Sequence, residues 1–118
     1  MHIQLKDHFL KILGEVGPES LVLVDGASGG VGMAAIELAK AMGALVIAGV
    51  SVDAKKALPE SAGADRAFCY GRDRKSHRQF KDEVRQASVE LGHPEGVDVV
   101  VDMVQGELFE AALVSVIT

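Results

Sequence analysis

A seven-residue stretch, Gly26-Ala27-Ser28-Gly29-Gly30-Val31-Gly32, constrains this chain more than any other part of it. It joins two segments of different period. Leu21 to Val24 is a continuous apolar run, the pattern of a short strand buried on both faces. Beyond the glycines, Val31, Ala34, Ala35, Leu38, Ala39 and Met42 recur at helical spacing, with Glu37 and Lys40 on the other side and Gly43 as the stop. Glycines between a strand and a helix let the backbone turn sharply and let a ligand approach it. The N–H groups at the helix start then face that ligand, and the helix dipole favours one that is negatively charged. The stretch does not read Gly-x-x-x-x-Gly-Lys-Ser/Thr, which excludes a P-loop nucleotidase. A dinucleotide, bound through its pyrophosphate, is the ligand this context implies.

The rest of the chain repeats the strand–helix alternation. A first amphipathic segment, Ile3 to Leu13, places Leu5, Phe9, Ile12 and Leu13 on one helical stripe and ends at Gly14 and Gly17-Pro18. After the glycine turn and its helix, Ala44 to Val50 reads as a second strand. A helix over Ala54 to Ala62 follows, with Asp53 as its cap and Gly63 as its end. Pro59 inside that helix predicts a kink or a shortening. Arg66 to Tyr70 is a third strand. Phe80, Val84, Ala87 and Leu91 mark a third helix stopped by Gly92 and Pro94. Val97 to Val101 is a fourth strand, and Leu108, Ala111, Ala112 and Ser115 mark a last helix. Such alternation gives a parallel sheet with right-handed crossovers. The expected fold is α/β, a Rossmann-like doubly wound sheet of strand order 3-2-1-4 with helices on both faces. A complete fold of this kind has two more strands, so residues 1–118 read as a single, incomplete dinucleotide-binding domain.

The end of the second strand selects the dinucleotide. NAD-binding folds place an acid there to bind the ribose 2′-hydroxyl. This chain has Ser51, then Val52, Asp53, Ala54, Lys55 and Lys56. The serine and lysines suit a 2′-phosphate and favour NADPH. In the competing reading Asp53 is the acid, and the cofactor is NADH.

Composition removes other classes. The net charge is −5, and the nearest basic cluster, Arg72, Arg74, Lys75 and Arg78, is interrupted by Asp73, so nucleic acid is not an expected partner. That cluster reads as a solvated loop and helix start. The single cysteine, Cys69, makes neither an internal disulfide nor a zinc cage. No signal peptide and no membrane-length apolar run is present, and a cytoplasmic location is the expectation. His2, His8, His77 and His93 are expected at the surface, and no spacing suggests a bound metal.

From the glycine turn onward, the run Val31-Gly-Met-Ala-Ala-Ile-Glu-Leu-Ala-Lys-Ala-Met-Gly-Ala44 resembles the medium-chain dehydrogenase/reductase superfamily, specifically its zinc-independent NADPH:quinone oxidoreductase branch. The likeness continues through Gly63-Ala64-Asp65, the strand end at Tyr70, Gly96-Val-Asp-Val-Val-Val-Asp102 and Glu107-Leu-Phe-Glu-Ala-Ala-Leu113, covering nearly all of residues 20 to 113. The resemblance implies a two-domain enzyme, with a GroES-like catalytic domain before this segment and the remaining strands after it. Its cofactor loop maps onto Gly26, Ser28, Gly29, Gly30, Val31 and Gly32. Its residues for the 2′-phosphate map onto Ser51, Lys55 and Tyr70, with Tyr70 beside the adenosine. Its loop near the nicotinamide maps onto Met103, Val104, Gln105 and Gly106. Gln105 departs from a common glycine pair. Asp25 departs from an apolar or small residue, and a carboxylate there weakens pyrophosphate binding unless it points away. The implied reaction is hydride transfer from NADPH to a quinone or conjugated enone, and the residues show no acid/base pair or nucleophile of their own.

Three other readings compete. An enoyl-reductase module of a polyketide or fatty-acid synthase shares the loop. A short-chain dehydrogenase also resembles Asp25-Gly-Ala-Ser-Gly-Gly-Val-Gly32, but Tyr70 is the chain's one tyrosine and Arg74 stands where that family's lysine belongs. A nucleotide-binding fragment without activity is the third. Without a fifth strand, Val97 to Val101 is an open apolar edge, which predicts a homodimer covering it.

Overall fold

The computed structural model describes residues 2–4, 16–26, 30–51, 55–71 and 73–102. Five parallel strands form one sheet: β1 (His2–Gln4), β2 (Leu21–Asp25), β3 (Leu45–Val50), β4 (Arg66–Cys69) and β5 (Val99–Asp102), in the order β1-β5-β2-β3-β4. Among the described residues the helices are α1 (Gly30–Ala41), α2 (Ala57–Ser61) and α3 (Arg74–Glu90). From β2 onward the sheet has the expected 3-2-1-4 order, and the registers Leu21↔Leu45, Ile47↔Arg66 and Val22↔Val99 carry it. None of the described helices is long and apolar enough to cross a membrane.

The strand pleat sorts the core into two layers. Val22, Val24, Val46, Ala48, Val99 and Val101 point to one face and pack against Ala35, Ile36 and Ala39 of α1. Leu21, Leu23, Ile47 and Val100 point to the other and pack against Phe80, Val84 and Ala87 of α3. Successive strand residues serve opposite layers, which is why these strands are nearly continuous in aliphatic residues. Each fully buried Val, Leu or Ile contributes ~1.5–3 kcal/mol by leaving water.

One helix differs from its sequence reading and another follows it. The buried stripe of α1 is Gly32, Ala35, Ile36 and Ala39, whereas Ala34 and Leu38 face outward. Small residues at 32, 35 and 39 let the helix lie close to the sheet, and that choice rotates Leu38 out. Pro59 does shorten its helix. α2 has five residues, with the proline in the first turn, where its missing N–H is least costly. Asp53, the expected cap, lies outside the described residues, as does the last expected helix.

At the N-terminus the structure corrects two expectations. Residues His2–Gln4 are a strand, so the predicted helix does not start at Ile3, and the stripe from Leu5 onward lies outside the described residues. This strand pairs in parallel with β5, His2↔Val100 to Gln4↔Asp102. The edge at Val97–Val101 is therefore not open. A segment distant in sequence supplies the backbone partner expected from a second copy.

Candidate functional site at the carboxyl ends of the strands

In a doubly wound sheet, ligands bind beyond the carboxyl ends of the strands, where the chain's crossovers change direction. Here that point lies between β2 and β5. From β2 the chain runs outward through β3 to β4 and then returns across the opposite face through α3.

β2 ends in the glycine turn. Gly26 has φ +75°, a left-handed conformation that side chains resist, and its N–H donates to the Gly49 carbonyl at 3.0 Å. Helix α1 then starts at Gly30, with Val31 and Gly32 in its first turn and no acidic residue there. Ser28 and Gly29 lie outside the described residues. Asp25 is fully buried. It alternates with Leu21 and Leu23 toward the α3 layer. Its Oδ1 lies 3.2 Å from where a side chain on Gly49 would begin, next to the Phe80 ring. The carboxylate thus lies on the α3 side of the sheet, opposite the layer packed against α1. Gly26 in the left-handed region, a first turn of α1 without acidic residues and an Asp25 on the α3 side fit a dinucleotide pyrophosphate.

β3 ends at Val50, followed by half-buried Ser51, whose carbonyl accepts from Cys69 Sγ at 3.3 Å. Lys55 is exposed. Lys56 is half-buried and lines a cleft of about 200 Å³ with Cys69, Ser76, Gln79 and Glu83. The Tyr70 N–H donates to the Val50 carbonyl at 2.9 Å, which ties the end of β4 to the residue before Ser51. The Tyr70 ring is 8% exposed and meets Phe80 edge-on at 5.8 Å and His77 at 6.4 Å. Gly71, with φ +65°, presses against α3, where a side chain would begin 2.5 Å from Ser76 Cβ. Asp73 caps that helix by accepting from the Ser76 N–H at 2.7 Å. This backbone bond, followed by the Ser76 side chain, holds the Asp73 carboxyl below its ordinary value.

Gly26, Ser51 and Tyr70 thus stand at the carboxyl ends of β2, β3 and β4, with Gly30, Val31 and Gly32 at the start of α1, while Lys55 is exposed beyond β3. Val104, with Met103, Gln105 and Gly106, lies outside the described residues. Arg74, Lys75 and Arg78 are exposed on α3, the solvated face expected of them. His77 is not at the surface. It is 8% exposed, with Nε2 3.3 Å from the Gly71 carbonyl oxygen. Its spacing three residues before Phe80, on the same helical stripe, is the signal that reveals it. Among the described residues no group of three or more His, Cys, Asp or Glu converges as a metal site.

The family model described as zinc-binding dehydrogenase matches residues 30–116. Prostaglandin reductase-3 of Mus musculus is 36% identical over 104 residues, 88% of this chain and 25% of its own length. A phenolphthiocerol/phthiocerol polyketide synthase chain of Mycobacterium tuberculosis is 36% identical over 103 residues, 87% of this chain and 4% of its own. Among solved structures, the quinone oxidoreductase of Thermus thermophilus, determined also in complex with NADPH, superposes with a TM-score of 0.62 at 33% identity, covering 86% of this chain and 30% of that one. The chain spans a quarter or less of the length of the two curated relatives.

Proposed function

The chain belongs to the zinc-binding dehydrogenase family of the medium-chain dehydrogenase/reductase superfamily, as its NAD(P)-binding domain, and on that footing we propose that it is the NADPH-binding half of a reductase acting on quinones or conjugated enones. The observation that carries this reading is the rim itself: Gly26 in the left-handed region at the end of β2, a start of α1 without acidic side chains, and Ser51 just past the end of the neighbouring strand, with Lys55 and Lys56 following in sequence. NADPH supplies the hydride when bound. The residues of this chain hold its pyrophosphate on backbone N–H groups, meet the 2′-phosphate with Ser51 and Lys55, and exclude water along the strand ends.

Thermal unfolding of the full chain with each dinucleotide tests the reading. A ligand at a hundred times its Kd stabilises by about 2.7 kcal/mol, so NADPH is expected to raise the melting temperature by several degrees and NADH by less. A larger rise with NADH would transfer the assignment to Asp53. Hydride transfer also needs the substrate-facing domain, so the 118 residues alone are expected to show no quinone reduction.

The enoyl-reductase module reading is favoured by the likeness to the polyketide synthase. It differs in substrate, an acyl thioester enone, and comparing thioester with quinone turnover in the longer protein separates the two. The family match sets the short-chain dehydrogenase reading aside. A homodimer stays a proposal. With β1 on the β5 edge it would run through the outer edge of β1, and a monomer at high concentration in light scattering counts against it.

A further inference from the structure

We propose that His77 is a positioning residue that fixes the Tyr70–Gly71 turn, and through it the wall at the adenosine end of the nucleotide site. The inference rests on the dinucleotide reading above. Contacts from β3 and α3 converge on this turn. The Tyr70 N–H is held by the Val50 carbonyl, which sets its height relative to Ser51. Gly71 is pressed onto the first turn of α3, against Ser76. A further contact is His77. Its Nε2 faces the Gly71 carbonyl oxygen at 3.3 Å, and because a carbonyl can only accept, Nε2 carries the hydrogen. The same ring meets Tyr70 edge-on, with an interplanar angle of 66°, while Phe80 holds Tyr70 on a second edge at 82°.

His77 thus grips both residues of the turn, one through its ring and the other through its nitrogen. Burial makes the grip specific. At 8% exposure the imidazole has little water to exchange with, and removing its N–H leaves the part-buried Gly71 carbonyl an acceptor to be satisfied elsewhere. The turn would then relax, and the Tyr70 ring would drift relative to Ser51. A nucleotide that uses Tyr70 and Ser51 together feels that drift most at its adenosine ribose, where NADPH differs from NADH.

The test uses the full chain and its single tyrosine. With no tryptophan present, the near-ultraviolet circular dichroism of tyrosine reports Tyr70 alone. His77→Phe keeps an aromatic edge against Tyr70 but removes the donor to Gly71. His77→Gln places an amide N–H close to where Nε2 stands. Val84→Ala, on the same buried face of α3 but away from the turn, serves as a purely structural control. The expected result is a weakening of NADPH binding in His77→Phe by about fivefold, with NADH affected less and the Tyr70 band altered. His77→Gln should recover the affinity, and Val84→Ala should lower the melting temperature without moving the Kd. NADPH affinity that falls equally in all three variants, in step with stability, makes His77 structural and overturns the proposal. Wild-type binding of NADPH that His77→Phe leaves unchanged also overturns it, with the dinucleotide reading intact. A wild-type chain that binds neither dinucleotide overturns the dinucleotide reading and the inference together.

Discussion

The two ends of the sheet are built from different materials. At the amino ends of the strands, side chains close the rim. Asp65 Oδ2 accepts from the Val46 N–H at 2.8 Å and from Lys40 Nζ at 2.9 Å, so one carboxylate joins α1, β3 and the start of β4. Asp98 Oδ2 accepts from the Leu21 N–H at 2.8 Å and lies 3.4 Å from His93 Nδ1. At the carboxyl ends, among the described residues, the ties are mainly backbone, Gly26 to Gly49 and Tyr70 to Val50, joined by the uncharged Cys69 Sγ on the Ser51 carbonyl. Charged clasps secure the amino end, whereas the carboxyl end, where the proposed nucleotide site lies, is joined without them among the described residues. That division lets the site vary with little cost to the fold.

Substitutions at each end should therefore fail in different ways. The largest effect is expected from Gly71→Ala. The left-handed backbone and the 2.5 Å approach to Ser76 both oppose a methyl group there, and a stability loss of about 2–3 kcal/mol in urea should accompany weaker NADPH binding. Asp65→Ala strands the Val46 N–H and should cost about 1–2 kcal/mol. If the two ends are separable, NADPH titration of that variant will give the wild-type Kd, and a shifted Kd breaks the comparison. The smallest effect belongs to Asp73. Its carboxyl is held below 3.8 by Ser76, so the cap stabilises the folded state above that pH and is lost as pH falls through the lowered value. The stability difference between wild type and Asp73→Ala should persist at neutral pH and vanish in strong acid. A difference that survives there would mean that charge is not what Asp73 contributes.

Much of the fold is legible from periodicity. The aliphatic runs mark β2, β3 and β5, and the spacing of Phe80, Val84 and Ala87 marks α3. The handedness of crossovers then orders four strands. The glycine turn alone points to the working rim. What escapes the sequence depends on contacts remote along the chain. His2–Gln4 carries no strand pattern of its own, and Ile3 becomes strand because Val101 lies opposite it. The rotation of α1 is hidden because two overlapping apolar stripes exist, and the close approach to the sheet selects the one with smaller residues. Residue type places His77 outward, although its helical phase points inward. Tyr70 is legible at a strand tip, but the two rings that clamp it come from α3, and nothing local to Tyr70 announces them.

The pairing of β1 with β5 joins positions separated by nearly the whole described chain. A ladder of this kind is late to form, since its two halves meet only after the intervening elements have been brought together. It is also brief, with three residues against a strand already anchored on its other side by β2. The other four strands, β5, β2, β3 and β4, pair with one another without it. A ladder of three residues on one edge adds little to a sheet whose other pairings are complete without it, so its loss would cost the carboxyl-end rim no strand.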